Sequence, residues 1–509
     1  MNFFPTDIYS LIKAGGFNFL NKNQKWPVDD AKFNRAINNF HKKYFLDIEN
    51  LDNYKKKILY VDFAFLYFIS YSIHFQVLEK ILIKKNIKIK KGLSSKNFIE
   101  LNFKKLSNPF NDNKKDNKFL LSFKFLIKNL NNFLTFGSKK KFLSVGGSSI
   151  LKKSYIQKNN LDIIETYPDL LIKPSYDFKE MDKYKDILKP IFDLLKNNIK
   201  KEFNILINTD NFLTTWAKRL SIIETTLQSL LKKNTKYDGI LVESNQKPAS
   251  RFLALYFLLK DKDAISFDHG NHANGRKKHK LLSAQLLSYN KFVTISKKSK
   301  ESIIKICNQS LIKRSLKNIK IEFIKNDYLK KVLLKKNNKT YVDKSKNIML
   351  MGWPMNARKY FDEGPCSFFY NKMLFEIEII KFLKKDGFNV FYKAHPERPD
   401  FIKKIYDQYA DKVYFEKFEN LEKYTDIGTL LFTNTCSSTF GYSLCTDKKI
   451  ILLYNEEYFD EHIKELKKRI SIIPCHFDKK YKVNFKKISS AINTKDSFIN
   501  YDYVKKYLI

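Results

Sequence analysis

The chain has 509 residues, 43% of them hydrophobic, so two or more domains with an extensive buried core are expected and a wholly disordered polymer is excluded. Lys and Arg number 95 against 53 Asp and Glu, a formal net charge of +42 that suits nucleic acid, an acidic membrane surface or a phosphorylated substrate. Only eight of those cations are arginine, and Asn, Ile, Phe and Tyr are abundant beside 14 Gly and 12 Pro, a drift that spreads lysine over every solvated face.

Residues 1–50 read as an N-terminal helical extension. No basic stretch followed by an apolar stretch and a cleavage site opens the chain, so no secretory signal is expected. From Ile58, ILYVDF reads as a strand, FLYFISYSIHFQVLEKILIKK as a helix and IKIKKGLSS as a further strand, a β-α-β pattern. The run Ile58 to Ile73 is the most apolar, yet it falls short of the ~20 residues that span a bilayer and contains Asp62. It is expected to be a buried strand-helix segment. Asn108 to Lys118 is polar and aperiodic, hence a loop.

The pattern sharpens after residue 140. KFLSVGGSS is a strand ending in a turn; YDGILVES, RFLALYFLLKDK, AISFDHG and KFVTIS follow as strand, helix, strand and strand. A lysine-rich stretch, 331–346, reads as a linker. Beyond it NIMLMGWPM, SFFYNKMLFEIEIIKFLKKDG, FNVFYKAHP, DFIKKIYDQYADK, VYFEK, TLLFTNTCSSTFGYSL and KKIILLY repeat the alternation. The expected fold is α/β and GT-B-like: two Rossmann-like domains, 51–330 (acceptor side) and 347–475 (nucleotide donor side), facing a cleft, with the extra N-terminal helices and a C-terminal helical segment, 476–509.

Ligands in such sheets sit beyond the carboxyl ends of the strands, and the polar motifs fall there. Asp268-His269-Gly270 follows AISF, with Arg276 shortly after. Lys393-Ala394-His395-Pro396 and Arg398 end another strand; Pro396 biases His395 towards extended backbone, and the flanking cations suit an anion. Thr433 to Thr439 joins TLLF to a helix, and its five hydroxyl-bearing positions in seven, Thr433, Thr435, Ser437, Ser438 and Thr439, exceed what an N-cap requires. Gly352 lets backbone approach a ligand, and Arg358 lies near it. Four of the eight arginines, Arg251, Arg276, Arg358 and Arg398, lie in or beside these motifs. Glu243 ends a strand as a candidate general base, and the turn Gly146-Gly147-Ser148-Ser149 is expected to line the acceptor side. That turn is neither a Walker A loop nor a complete dinucleotide fingerprint.

The ordered set HG, HP and SST resembles bacterial surface-polysaccharide transferases of GT-B fold: capsule and lipopolysaccharide Kdo transferases, bacterial sialyltransferases, and CDP-glycerol glycerophosphotransferases. The resemblance covers roughly residues 140 to 455. It implies that His395 and the hydroxyls of Ser437, Ser438 and Thr439 contact a cytidine nucleotide phosphate and that His269 is catalytic. DHG stands where many relatives have glutamine before HG, and KAHPER where several have other flanking residues, so donor identity does not carry over.

The function expected is therefore a glycosyltransferase of surface-polysaccharide biosynthesis using a CMP-sugar, of the Kdo or sialic acid kind, and a glycan or lipid-linked glycan acceptor. Catalytic roles are expected of His269, Glu243 and His395; donor contacts of Gly352, Arg358, Lys393, His395, Arg398, Thr435, Ser437, Ser438 and Thr439; acceptor-side positions of Gly146, Gly147, Ser148 and Arg276. No metal and no cofactor beyond the activated donor is expected. A CDP-polyol transferase shares the same phosphate-binding logic, and a nonhydrolysing nucleotide-sugar epimerase has two similar halves. A basic nucleic-acid-binding protein would use the charge but leave the histidine motifs without a role. Five cysteines without a zinc-like pattern fit a reduced cytoplasmic protein, with peripheral contact at the inner membrane face.

Overall fold

The computed structural model describes residues 3–14, 26–92, 96, 98–110, 139–147, 149–243, 247–268, 286–325, 327–335, 346–352, 368–394, 403–414, 427–433, 438–454, 461–476, 482–494 and 499–509. Their strands are β1 (Phe3–Pro5), β2 (Lys88–Lys90), β3 (Lys141–Val145), β4 (Asp162–Thr166), β5 (Gly239–Val242), β6 (Asp263–Phe267), β7 (Lys291–Thr294), β8 (Lys320–Phe323), β9 (Asn347–Met351), β10 (Asn389–Lys393), β11 (Lys412–Tyr414), β12 (Thr429–Thr433), β13 (Ile450–Tyr454), β14 (Ser471–His476) and β15 (Lys482–Val483).

They form two main sheets. The first runs β4-β3-β5-β6-β7-β8 and is wholly parallel. The second runs β11-β10-β9-β12-β13-β14-β15, parallel except where β15 turns back on β14. Central strands such as GILV and IILLY are buried at every position, as a sheet covered on both faces requires. This is the α/β, GT-B-like fold class expected from the sequence.

The two-residue period of the strands divides the core. Leu143, Val145, Ile240, Val242, Ile348 and Leu350 join one cluster with the N-terminal helices. Their neighbours Phe142, Leu241, Met349 and Met351 join a second, which passes from the first sheet through Leu329, Val332 and Leu333 to the second sheet and the C-terminal helix. That helix, Tyr501–Tyr507, stitches the two halves. The Tyr507 carbonyl accepts from Ser296 Oγ at 2.9 Å, at the start of the helix Lys297–Gln309, while its hydroxyl donates to Glu465 at 2.7 Å.

The β-α-β unit expected from Ile58 is not formed. ILYVDF lies in the helix Asn53–Val61 and the turn after it, and a second helix, Ala64–Ile83, follows. Period cannot separate strand from helix in so short an apolar run, and burial inside a helical layer decides for helix. Asp52 caps it, accepting from Lys55 N at 2.9 Å. IKIK supplies β2, which pairs with β1 in a separate two-stranded sheet. No single described helix is long and apolar enough to cross a membrane; these two, bent by 53°, reach that length only together.

The helical layer is held by aromatic packing and one buried ion pair. Trp216 stacks on Tyr44 at 5.2 Å and meets Phe65 edge-on. Arg219 grips Asp62 with two bonds of 2.6 Å. Burial raises the Asp62 carboxyl above its ordinary value, against the opposing pull of Arg219. Of the expected linker, residues 331–335 belong to the helix Asp327–Lys335, and 336–345 lie outside the described residues.

Candidate functional site

In each main sheet the chain leaves its first strand to one side and later returns on the other, which creates a switch point where neighbouring connections diverge. The first lies between β3 and β5, the second between β9 and β12. The sequence motifs fall at the carboxyl ends of these strands and their neighbours. Gly146, Glu243 and Asp268 follow the adjacent strands β3, β5 and β6; Gly352, Ala394 and the segment after Thr433 follow β9, β10 and β12.

At the first switch point the turn after β3 is built around Gly146. Its φ of +86° is a left-handed conformation, and an added Cβ would meet Glu243 Cβ at 3.0 Å. Gly147, by contrast, faces open space. The half-buried Glu243 accepts from the Ser149 N–H at 3.3 Å, and Ser149 Oγ caps the helix Ile150–Lys158 by accepting from Lys152 N. Lys152, 1% exposed, turns its ammonium back to the carbonyls of Val145 at 3.2 Å and Gly147 at 3.0 Å. Carboxylate, glycine turn and buried ammonium therefore form one unit.

Asp268 is nearly buried at the end of β6 and accepts from the Thr294 hydroxyl at 2.8 Å, which ties it to the end of β7. His269, Arg276 and Ser148 lie outside the described residues, as do Arg358, His395, Arg398, Thr435 and Ser437.

At the second switch point Gly352 is needed for close approach. A Cβ there would stand 2.4 Å from Tyr392 Oη and 2.9 Å from Lys393 O. Tyr392 cannot retreat freely: it stacks on Tyr406 at 4.1 Å, and buried Glu376 accepts from both hydroxyls, at 2.9 and 2.6 Å. Lys393 is nearly buried and donates to Ala394 O at 3.0 Å, so its charge is fixed at the strand end. Thr433 is fully buried; its carbonyl accepts from the buried Lys372 ammonium at 2.9 Å, while its hydroxyl has no hydrogen-bond partner among the described residues. The helix Ser438–Leu444 starts just beyond, with Thr439 O accepting from Ser443 Oγ.

Lys152 and Lys372, each placing a buried ammonium on the carbonyls of a switch strand, carried no signal in a sequence so rich in lysine. Arg251 is not a cleft residue. It is fully buried against the N-terminal helices, 3.9 Å from the centre of the Phe63 ring, bonded to Tyr60 O at 3.2 Å, with burial pulling its pKa down to about 10. Among the described residues no three His, Cys, Asp or Glu side chains gather as a metal site. A cavity of about 620 Å³ opens at the amino ends of β13 and β14, away from the switch points. Its buried cations Lys449 and Arg469 bond to backbone carbonyls there.

No protein-family model and no curated protein matches the chain. Among solved structures it resembles UDP-N-acetylglucosamine 2-epimerase from Rickettsia bellii, with 11% identity over 72% of this chain and 94% of that one and a TM-score of 0.35. It also resembles the N-terminal domain of trehalose-6-phosphate phosphatase from Candida albicans, with 13% identity over 75% and 87% and a TM-score of 0.34. Likeness of this degree assigns neither a substrate nor a reaction.

Proposed function

We propose that this chain is a glycosyltransferase that moves a sugar from a cytidine-nucleotide donor to a glycan hydroxyl. The observation that carries the reading is the convergence of separate polar motifs on the carboxyl ends of adjacent strands at both switch points. Convergence on one end of both sheets suits two ligands meeting between two α/β halves. The cytidine preference rests on the resemblance of the HP and SST segments alone.

In this reading the second sheet takes the donor. Hydroxyls and N–H groups between Thr433 and Thr439, with His395, Lys393 and Arg398, stabilise negative charge on the leaving phosphate. The first sheet takes the acceptor. Glu243 or His269 removes the hydroxyl proton if configuration inverts, with one Glu243 oxygen already held by Ser149 N–H.

Thermal-shift measurements with CMP, CDP, UDP and GDP test the donor, with stabilisation by cytidine nucleotides expected. Product mass after incubation with acceptor and CMP-sugar, or separately with CDP-glycerol, distinguishes a glycosidic bond from a phosphodiester. Isomerised UDP-sugar formed without acceptor would overturn the transferase reading.

A further inference from the structure

We infer that the face formed by the helices Lys297–Gln309 and Lys313–Leu316 docks this protein on an anionic lipid bilayer. The inference is independent of the catalytic reading. Across the whole chain cations outnumber carboxylates by less than two to one, but residues 297–317 hold seven Lys and Arg against a single carboxylate, Glu301, while Lys320 just beyond pairs with Glu322 at 2.8 Å. Lys298 already pairs with Glu301, and that pairing holds its carboxyl below the ordinary value.

The face is oriented by packing. Ser299, Ile303 and Cys307, four residues apart, are the buried stripe of the first helix, and Leu316 is the buried residue of the second. Lys297, Lys305, Lys313, Arg314 and Lys317 are exposed. Among them stand two exposed aliphatic side chains, Ile304 at 38% and Leu311 at 48%. Lysine and arginine beside projecting aliphatics match a membrane interface, where cations meet acidic headgroups and the aliphatics enter the acyl boundary. A nucleic-acid backbone would reward the cations but not Ile304 or Leu311, and no aromatic ring for base stacking lies between residues 297 and 320.

Sedimentation of the full chain with phosphatidylcholine vesicles, with and without phosphatidylglycerol, tests the inference. Binding is expected only to the acidic vesicles and to weaken with salt. Each lost charge lowers partitioning about fivefold, so Lys313→Glu/Arg314→Glu/Lys317→Glu lowers it about a hundredfold or more. Ile304→Ser/Leu311→Ser lowers the binding that survives high salt. Lys189→Glu/Lys200→Glu/Lys201→Glu, exposed lysines on the helix Met181–Phe203, retains binding near that of the unaltered protein. Circular dichroism and thermal unfolding confirm that each variant is folded. Equal loss in the two triple variants would reduce the effect to diffuse charge and overturn the inference. So would absence of binding to acidic vesicles, or tighter binding to a DNA oligonucleotide that ignores Ile304→Ser/Leu311→Ser.

Discussion

The two switch points are built on one plan with different chemistry. Each has a glycine where the first strand ends and a buried lysine that holds a strand-end carbonyl, Lys152 on Val145 and Gly147, Lys372 on Thr433. The first adds a half-buried carboxylate, Glu243, bonded to the turn. Among the described residues the second contributes Lys393 and buried Thr433 at its strand ends, and the nearby carboxylate Glu376 is taken up by the Tyr392 and Tyr406 hydroxyls. In the proposed reading this difference assigns proton removal to the first half and phosphate binding to the second. A carboxylate at the crevice serves proton removal and repels a phosphate; ammonium and hydroxyl groups favour one.

The largest expected effects test this proposed division of labour. Glu243→Gln lowers turnover by about 10²–10⁴-fold if the carboxylate is the base, while nucleotide affinity by calorimetry stays unchanged. His395→Ala lowers turnover by about 10²–10³-fold by weakening stabilisation of the leaving phosphate. Unaltered activity in His395→Ala would remove that histidine from the donor site.

Smaller effects sharpen the comparison of the two glycines. Gly352→Ala must displace Tyr392 from its paired hydroxyls or move the Lys393 backbone, and costs about 1–3 kcal/mol in denaturant unfolding. Gly146→Ala meets positive φ and a tight Glu243 Cβ together, costing about 1–2 kcal/mol. It should also reduce turnover more than nucleotide binding, whereas Gly352→Ala should do the reverse.

A test by pH separates both crevices from the helical layer. His74 is fully buried, its Nε2 accepting from Trp26 Nε1 at 3.0 Å, and burial lowers its pKa to about 3. Below pH ~6.5 the unfolded chain takes up a proton that the folded chain refuses, so stability falls as pH drops, by about 1.4 kcal/mol per unit until the folded pKa is reached. His74→Gln should flatten that dependence in denaturant titrations at several pH values. Nucleotide binding at neutral pH should be untouched.

Most strands of both sheets were legible because buried parallel strands leave short β-branched runs with sharp ends, as in GILV, AISF and IILLY. The edge strands β4 and β8 passed unseen. DIIET and KIEF mix charge with apolar residues, as half-covered edges do, and look like loops in isolation. ILYVDF misled for the opposite reason, since full burial erases the period that would mark it as a helix. The candidate motifs were visible as polar residues after strands. Their grouping was not, because adjacency in a sheet follows strand order, which no local pattern encodes.

The sequence alone determined the class of the fold, the placement of the motifs at strand ends and a surplus of positive charge. Local composition and period suffice for these, since they follow from which residues tolerate burial and which turns end a strand. Tertiary structure decided which ends are neighbours, that Glu243 is tied to the glycine turn, and that Arg251 is a core residue. It also separated cations by use: Lys152 and Lys372 serve buried carbonyls, while Lys297, Lys305, Lys313, Arg314 and Lys317 remain exposed. Identical side chains acquire different roles only when packing sets their solvation and their partners.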